Sequence, residues 1–196
     1  AVGIEDSIER ALKGWTGSAV YAEWGYERNP DFALKLPHHE FCDRDHCRRA
    51  AWRGTFSGLS IIAGYENSWG PWMKLEEDLP GAADMPHVAR FFREIVPFTR
   101  LRPDRAAAKG TFEPGRKPLV LTTAERDVLC VYLPAGGEAE IETGGARFSR
   151  AEWFDPRTGA LTPASVSTDG GTLRLASPGG TGEAGRPLDW VLVARA

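Results

Sequence analysis

Three cysteines among 196 residues leave no complete disulfide framework. Cys42 and Cys47 lie close together, Cys130 lies far from both, and the odd count does not assign a redox compartment. The chain also lacks any apolar run of the roughly 20 residues that a membrane-spanning helix needs, so no membrane partner is expected. An excess of one charge is missing too. With 24 Lys+Arg against 27 Asp+Glu, the net charge of −3 and the pI near 5.9 provide no basic footprint for a polyanion, and nucleic acid is not an expected partner. The opening residues Ala1-Val2-Gly3-Ile4-Glu5-Asp6 carry no basic-then-apolar signal pattern. They read like the inside of a domain, and a preceding segment is expected. At 42% hydrophobic and 26% charged residues, the chain has the composition of an ordinary folded protein.

Tryptophan, by contrast, is plentiful. Four of the seven fall within residues 15–69, with Trp72 just beyond. Such clusters serve as core packing in most proteins, and their flat apolar faces also suit sugar clefts.

The periodicity divides the chain in two. Ile4, Ile8, Ala11, Leu12 and Trp15 recur at helical spacing, which predicts an amphipathic helix over 4–15, with Gly14 and Gly17 as stop signals. The run Ser18-Ala19-Val20-Tyr21-Ala22-Glu23 predicts a buried parallel strand ending on a carboxylate. Residues 24–42 have no period and read as a long loop. Asp43 caps a predicted helix reaching about Gly54, and Leu59–Ala63 is a second buried-strand run. Asp84 caps a further predicted helix, with Pro86 in its first turn and Val88, Phe91, Phe92, Ile95 and Val96 on its apolar face. This order is the α/β alternation of a parallel sheet or barrel. From about residue 118 the pattern changes to short strands at 119–122, 128–133, 138–143, 151–154, 172–176 and 189–194, separated by Gly- and Pro-rich turns. That predicts an antiparallel β-sandwich. The boundary is expected between residues 97 and 117.

Three segments carry candidate chemistry. The first is Glu23-Trp24-Gly25-Tyr26-Glu27, because a carboxylate at the C-terminal end of a barrel strand is where (β/α)8 enzymes place catalytic groups. A retaining glycosidase needs two carboxyls, a nucleophile and an acid/base, and a neighbouring Tyr hydroxyl can orient the nucleophile. The alternative is an ion pair between Glu23 and an arginine such as Arg48. The second segment, Gly64–Trp72, follows the next strand, so Glu66, Asn67, Trp69 and Trp72 are expected on the same face as Glu23. These residue types suit a ligand with an apolar face and a hydroxyl edge; the alternative is that Trp69 and Trp72 pack beneath the loop. The third, His38-His39-Glu40-Phe41-Cys42-Asp43-Arg44-Asp45-His46-Cys47, is dense in His and Cys. Its spacing fits no zinc-finger or zincin pattern, so neither metal nor cofactor is assigned, and Cys47 is expected to face the core.

These residues resemble a known family. Glu23-Trp24-Gly25-Tyr26-Glu27, Arg48 with Trp52, Phe56-Ser57-Gly58, Gly64, Trp69, Leu79–Met85 and Leu101–Asp104 resemble the end of the apiosidase-like (DUF4038) glycoside hydrolase domain. Tyr132-Leu133-Pro134, Trp153–Gly159 and Asp189-Trp190-Val191-Leu192 resemble the β-domain that follows it, which is named for collagen binding in a collagenase. The resemblance implies the C-terminal end of a (β/α)8, or TIM, barrel over residues 1–96 and an antiparallel β-sandwich over 97–196. It implies a retaining glycoside hydrolase acting on plant or microbial polysaccharide, outside the cell or in the periplasm. Glu23 matches the nucleophile, and Trp24, Tyr26, Glu27, Glu66, Asn67, Trp69 and Trp72 become substrate-binding candidates. The acid/base is expected on an earlier strand, upstream of Ala1. A barrel takes roughly 250 residues and eight strands, so the isolated chain is expected to be inactive and to contact the remaining barrel portion. The competing expectation is a non-catalytic β-module that binds carbohydrate or matrix, or that braces the barrel.

Overall fold

A computed structural model of the chain describes residues 4–22, 27, 43–62, 80–182 and 185–196. The first helix, α1 (Ile4–Leu12), ends earlier than its apolar spacing predicts, with Gly14 in the left-handed region at φ +79°. Trp15 therefore lies beyond the helix instead of on its apolar face. It is 62% exposed, and its indole N–H donates to the Ser18 carbonyl at 3.2 Å.

The two apolar runs meet in parallel as expected, but they are not the buried strands the sequence predicts: Val20 and Ile62 are each 56% exposed. β1 (Val20–Tyr21) and β2 (Ser60–Ile61) pair in parallel, with Val20 opposite Ser60 and Tyr21 opposite Ile61. The crossover between them contains α2 (Arg44–Phe56), capped by Asp43, whose carboxylate accepts the His46 N–H at 2.8 Å. A 3₁₀ turn (Pro80–Asp84) leads into α3 (Met85–Arg90) and a π-helical turn (Phe91–Ile95). Asp84 precedes α3 but does not cap it: its backbone is already helical, and arginines take its carboxylate. This parallel pair with its helices is the α/β architecture among the described residues; a barrel is not shown.

The rest is antiparallel. Its strands are β3 (Arg102–Pro103), β4 (Ala108–Lys109), β5 (Leu119–Thr122), β6 (Val128–Leu133), β7 (Glu138–Glu142), β8 (Arg150–Phe154), β9 (Leu161–Pro163), β10 (Ser167–Asp169), β11 (Thr172–Ala176) and β12 (Trp190–Arg195). They form a sheet in the order β3-β5-β6-β12-β8-β9 and another in the order β10-β11-β7-β4. The six strands legible in the sequence are the interior ones. The four that are not, β3, β4, β9 and β10, are the edges of both sheets. They are too short to show alternation, and Pro103 and Pro163 sit where a missing N–H is tolerated.

The larger sheet is buried on both faces, which a two-layer sandwich does not predict. Leu129, Val131, Leu133, Leu192 and Ala194 face the four-stranded sheet, where they meet Ile141, Leu173 and Leu175. Cys130, Tyr132, Val191, Val193 and Phe154 face the other way, into a core with Trp52, Phe56, Phe91 and Phe92 from α2 and the π-helical turn. Helices thus form a third layer. That layer explains why Val128–Leu133 is an unbroken apolar run, whereas Glu138–Glu142, with one face in solvent, alternates. The helical core continues into the sheet across residue 97. Trp52 is fully buried, and its ring lies 5.2 Å from that of Phe91, 5.6 Å from Phe154 and 6.1 Å from Tyr132.

Candidate functional site

The segment after β1 that carries the candidate carboxylates is tied to the helical layer through Glu27. Glu27 is buried, and its Oε2 accepts the Gly81 N–H at 2.7 Å. A Cβ at position 81 would collide with that oxygen, so any other residue there would make the Glu27 carboxylate shift. Burial raises the Glu27 carboxyl above its ordinary value, and the Gly81 hydrogen bond draws it down by less.

Gly81 is the second residue of the 3₁₀ turn that ends at Asp84, and from Asp84 a buried charge network crosses the molecule. Arg44 holds Asp84 with two bonds, Nη2 to Oδ1 at 2.8 Å and Nε to Oδ2 at 3.0 Å. Arg48, one turn along α2, donates Nη1 to Asp84 Oδ2 at 3.3 Å. It also donates Nη2 to Asp45 Oδ1 at 2.7 Å and to Asp189 Oδ1 at 2.8 Å. Asp189 stands at the start of β12. Its second oxygen accepts the Tyr132 hydroxyl at 3.1 Å, and its carbonyl accepts Arg157 Nη1 at 2.7 Å. Burial works against the charge on Arg48, but Asp189 and Asp45 outweigh it and hold the guanidinium above its ordinary value. Burial, and then the Asp189 carboxylate, push the Tyr132 hydroxyl well above its ordinary range, so it remains a donor.

Further links run between the same layers. Arg49 donates to the carbonyls of Pro134 at 2.7 Å and Pro187 at 2.6 Å, and Arg186 pairs with Asp43. Asp43 is partly desolvated, yet the His46 N–H and Arg186 keep its carboxyl below the ordinary range. Arg90 reaches the Gly159 carbonyl at 2.6 Å, and Arg195 reaches the Ile95 carbonyl at 2.8 Å. Basic side chains here satisfy loop and turn carbonyls across the layer boundary.

Of the site residues expected from sequence, Glu27 is described and lies in this arrangement. Glu23, Trp24, Tyr26, Glu66, Asn67, Trp69 and Trp72 lie outside the described residues, as do His38, His39 and Cys42. Arg48, the alternative partner for Glu23, gives its guanidinium to Asp45, Asp84 and Asp189. Cys47 is buried as expected. Among the described residues, no group of three or more His, Cys, Asp or Glu is placed to hold a metal ion. Sequence spacing does not reveal Asp84, Asp189 and Tyr132 as partners. The available signal was a charged residue set against the apolar run Trp190-Val191-Leu192-Val193, which predicts burial with a partner. In the β-sheets, Trp153 and Phe154 are core residues. Trp190 is half-buried, with Arg157 4.7 Å above its ring.

Residues 103–195 match the family model described as "Putative collagen-binding domain of a collagenase". Two solved structures share the fold. One is titled "Glycoside hydrolase", with TM-score 0.76 and 19% identity over 97% of this chain and 46% of its own. The other is a glycoside hydrolase family 5 structure from Bacteroides vulgatus ATCC 8482, with TM-score 0.76 and 20% identity over 97% of this chain and 45% of its own. The chain has the fold of part of these glycoside hydrolases. It spans about half their length. No curated protein matches it in sequence.

Proposed function

We propose that the chain is the C-terminal part of a retaining, apiosidase-like glycoside hydrolase, with residues 1–96 closing a (β/α)8 barrel and 97–196 forming its β-module. One observation carries this reading. β1 and β2 pair in parallel around α2, within a fold shared with glycoside hydrolases over nearly the whole chain. In sequence Glu23 follows Tyr21 of β1 and Glu66 follows Ile61 of the neighbouring β2, so each comes after the C-terminal end of a strand of the parallel pair. In barrel enzymes that end carries the catalytic groups.

In this reading Glu23 attacks the anomeric carbon while a second carboxyl protonates the leaving oxygen. Water then hydrolyses the glycosyl–enzyme ester as the second group turns base. Trp24, Tyr26, Trp69 and Trp72 offer ring faces to the sugar, and Glu66 and Asn67 take its hydroxyls. Glu27, held on Gly81, fixes the segment that bears Glu23. The substrate is a plant or microbial polysaccharide, a polymer met outside the cell or in the periplasm. In the full-length protein, Glu23→Ala abolishes most turnover of that glycan, and added azide restores part of it as the glycosyl azide. Unchanged turnover in the variant overturns the assignment.

The family match over residues 103–195 supports a second reading, in which the β-module binds carbohydrate or matrix. The Arg48–Asp189 network and the core across residue 97 support its bracing the helical layer.

A further inference from the structure

The outer strands of the four-stranded sheet stop before the inner ones. β4 pairs with β7 only through Ala108–Ile141 and Lys109–Glu140, and β10 pairs with β11 only from Ser167–Arg174 to Asp169–Thr172. β7 and β11 continue together to the Glu138–Ala176 pair. The chain at Gly110–Phe112 on one side and at Ser165–Val166 on the other therefore parts from the sheet. These segments wall a groove of about 770 Å³ over the exposed row Glu138, Glu140, Arg174 and Ala176. Gly110, at φ +114°, makes the departure in a conformation that other residues rarely adopt, and Phe112 packs against it while staying part-exposed.

The four charged residues that line this groove, Lys109, Arg174, Glu138 and Glu140, sum to zero. Arg174 pairs with Glu140 at 2.9 Å, and Lys109 pairs with Glu142 at 2.6 Å. Nothing there steers a polyanion or a polycation. The Glu138 carboxylate and the Thr111, Ser165 and Ser167 hydroxyls line the groove and are exposed. A part-open aromatic ring beside exposed hydroxyls and a carboxylate acceptor complements a ligand with an apolar ring face and a hydroxyl rim.

We propose that this groove binds a neutral oligosaccharide chain, with Phe112 as the stacking surface and Glu138 as the acceptor for sugar hydroxyls. The proposal rests on the second reading above, the β-module as a carbohydrate-binding unit, and not on the assignment of Glu23.

The test titrates the 196-residue chain with neutral hexasaccharides of gluco, xylo, manno and galacto configuration, by calorimetry and amide NMR. Phe112→Ala and the surface variant Glu138→Ala run alongside, with circular dichroism to verify their folds. At least one hexasaccharide is expected to bind, to shift the amides of residues 110–112 and 138–140, and to bind about tenfold more weakly to each variant. Binding that neither variant weakens overturns the groove and leaves the β-module reading standing. Absence of binding to every hexasaccharide overturns the groove and the carbohydrate-binding role of the module. A triple-helical collagen peptide that binds where the sugars do not overturns the sugar assignment.

Discussion

Arg48 Nη2 lies 2.8 Å from Asp189 Oδ1 across 141 positions of sequence, with both side chains shut off from solvent. The pair joins α2 to the residue just before β12, and this guanidinium is one of several side chains that tie the helical layer to the large sheet. Buried ion pairs are often no better for stability than well-packed apolar residues, because desolvation offsets the attraction. Their effect is clearest when one partner is lost.

Asp189→Ala leaves Arg48 short of its main counter-charge and the Tyr132 hydroxyl without its acceptor. The expected loss is about 3–5 kcal/mol of unfolding free energy, read from urea titrations. The double replacement Arg48→Met with Asp189→Leu should recover much of it, since Arg44 continues to hold Asp84. A double variant as unstable as Asp189→Ala would argue against this account of the cost.

Trp52 sits at the meeting of helices and sheet, its ring near those of Phe56, Phe91, Phe92, Tyr132 and Phe154. Trp52→Ala is expected to cost about 3–5 kcal/mol. Trp52→Phe should cost much less, because it keeps a ring there and removes an indole N–H that has no acceptor among the described residues. Because the core continues across residue 97, unfolding followed by far-UV and by near-UV circular dichroism should coincide in one transition. Two separated transitions would show that the layers unfold independently.

Glu27 predicts a pH dependence. In the unfolded chain it ionises near its ordinary value of 4.5, and in the fold only at higher pH, because burial disfavours the carboxylate. Between those values the folded state binds more protons. The contribution of Glu27 to stability is therefore complete below the ordinary value and is lost as pH rises through the raised one. Glu27→Gln keeps an acceptor for the Gly81 N–H. It should stabilise the protein at about pH 7, and the gain should vanish at about pH 4. Equal destabilisation at both pH values would contradict the role of burial.

Thiol chemistry offers a check on the core. Burial pushes the Cys130 thiol up to about 12, and Cys47 is also buried. Neither should react with iodoacetamide in the native protein, and both should label fully in urea, as read by peptide mass spectrometry. Rapid native labelling of Cys130 would place it outside the layer interface.

Sequence by itself determined the elements whose residues carry a period or an unbroken apolar run. These were the interior strands of both sheets, α2 with its Asp43 cap, and the parallel pairing expected of two apolar runs flanking a helix. It also selected Glu23, through a position relative to β1 and through a family resemblance, both of them local signals. Tertiary structure decided what depends on distant partners. The third layer arises because Tyr132, Val191 and Phe154 meet Trp52 and Phe91, and a strand buried on two faces reads the same whichever element covers it. The edge strands were invisible because two or three residues hold no alternation. Asp84 reads in sequence as a helix cap and serves in the fold as the counter-charge of Arg44 and Arg48, since a carboxylate follows the nearest buried cation and not its position in the chain.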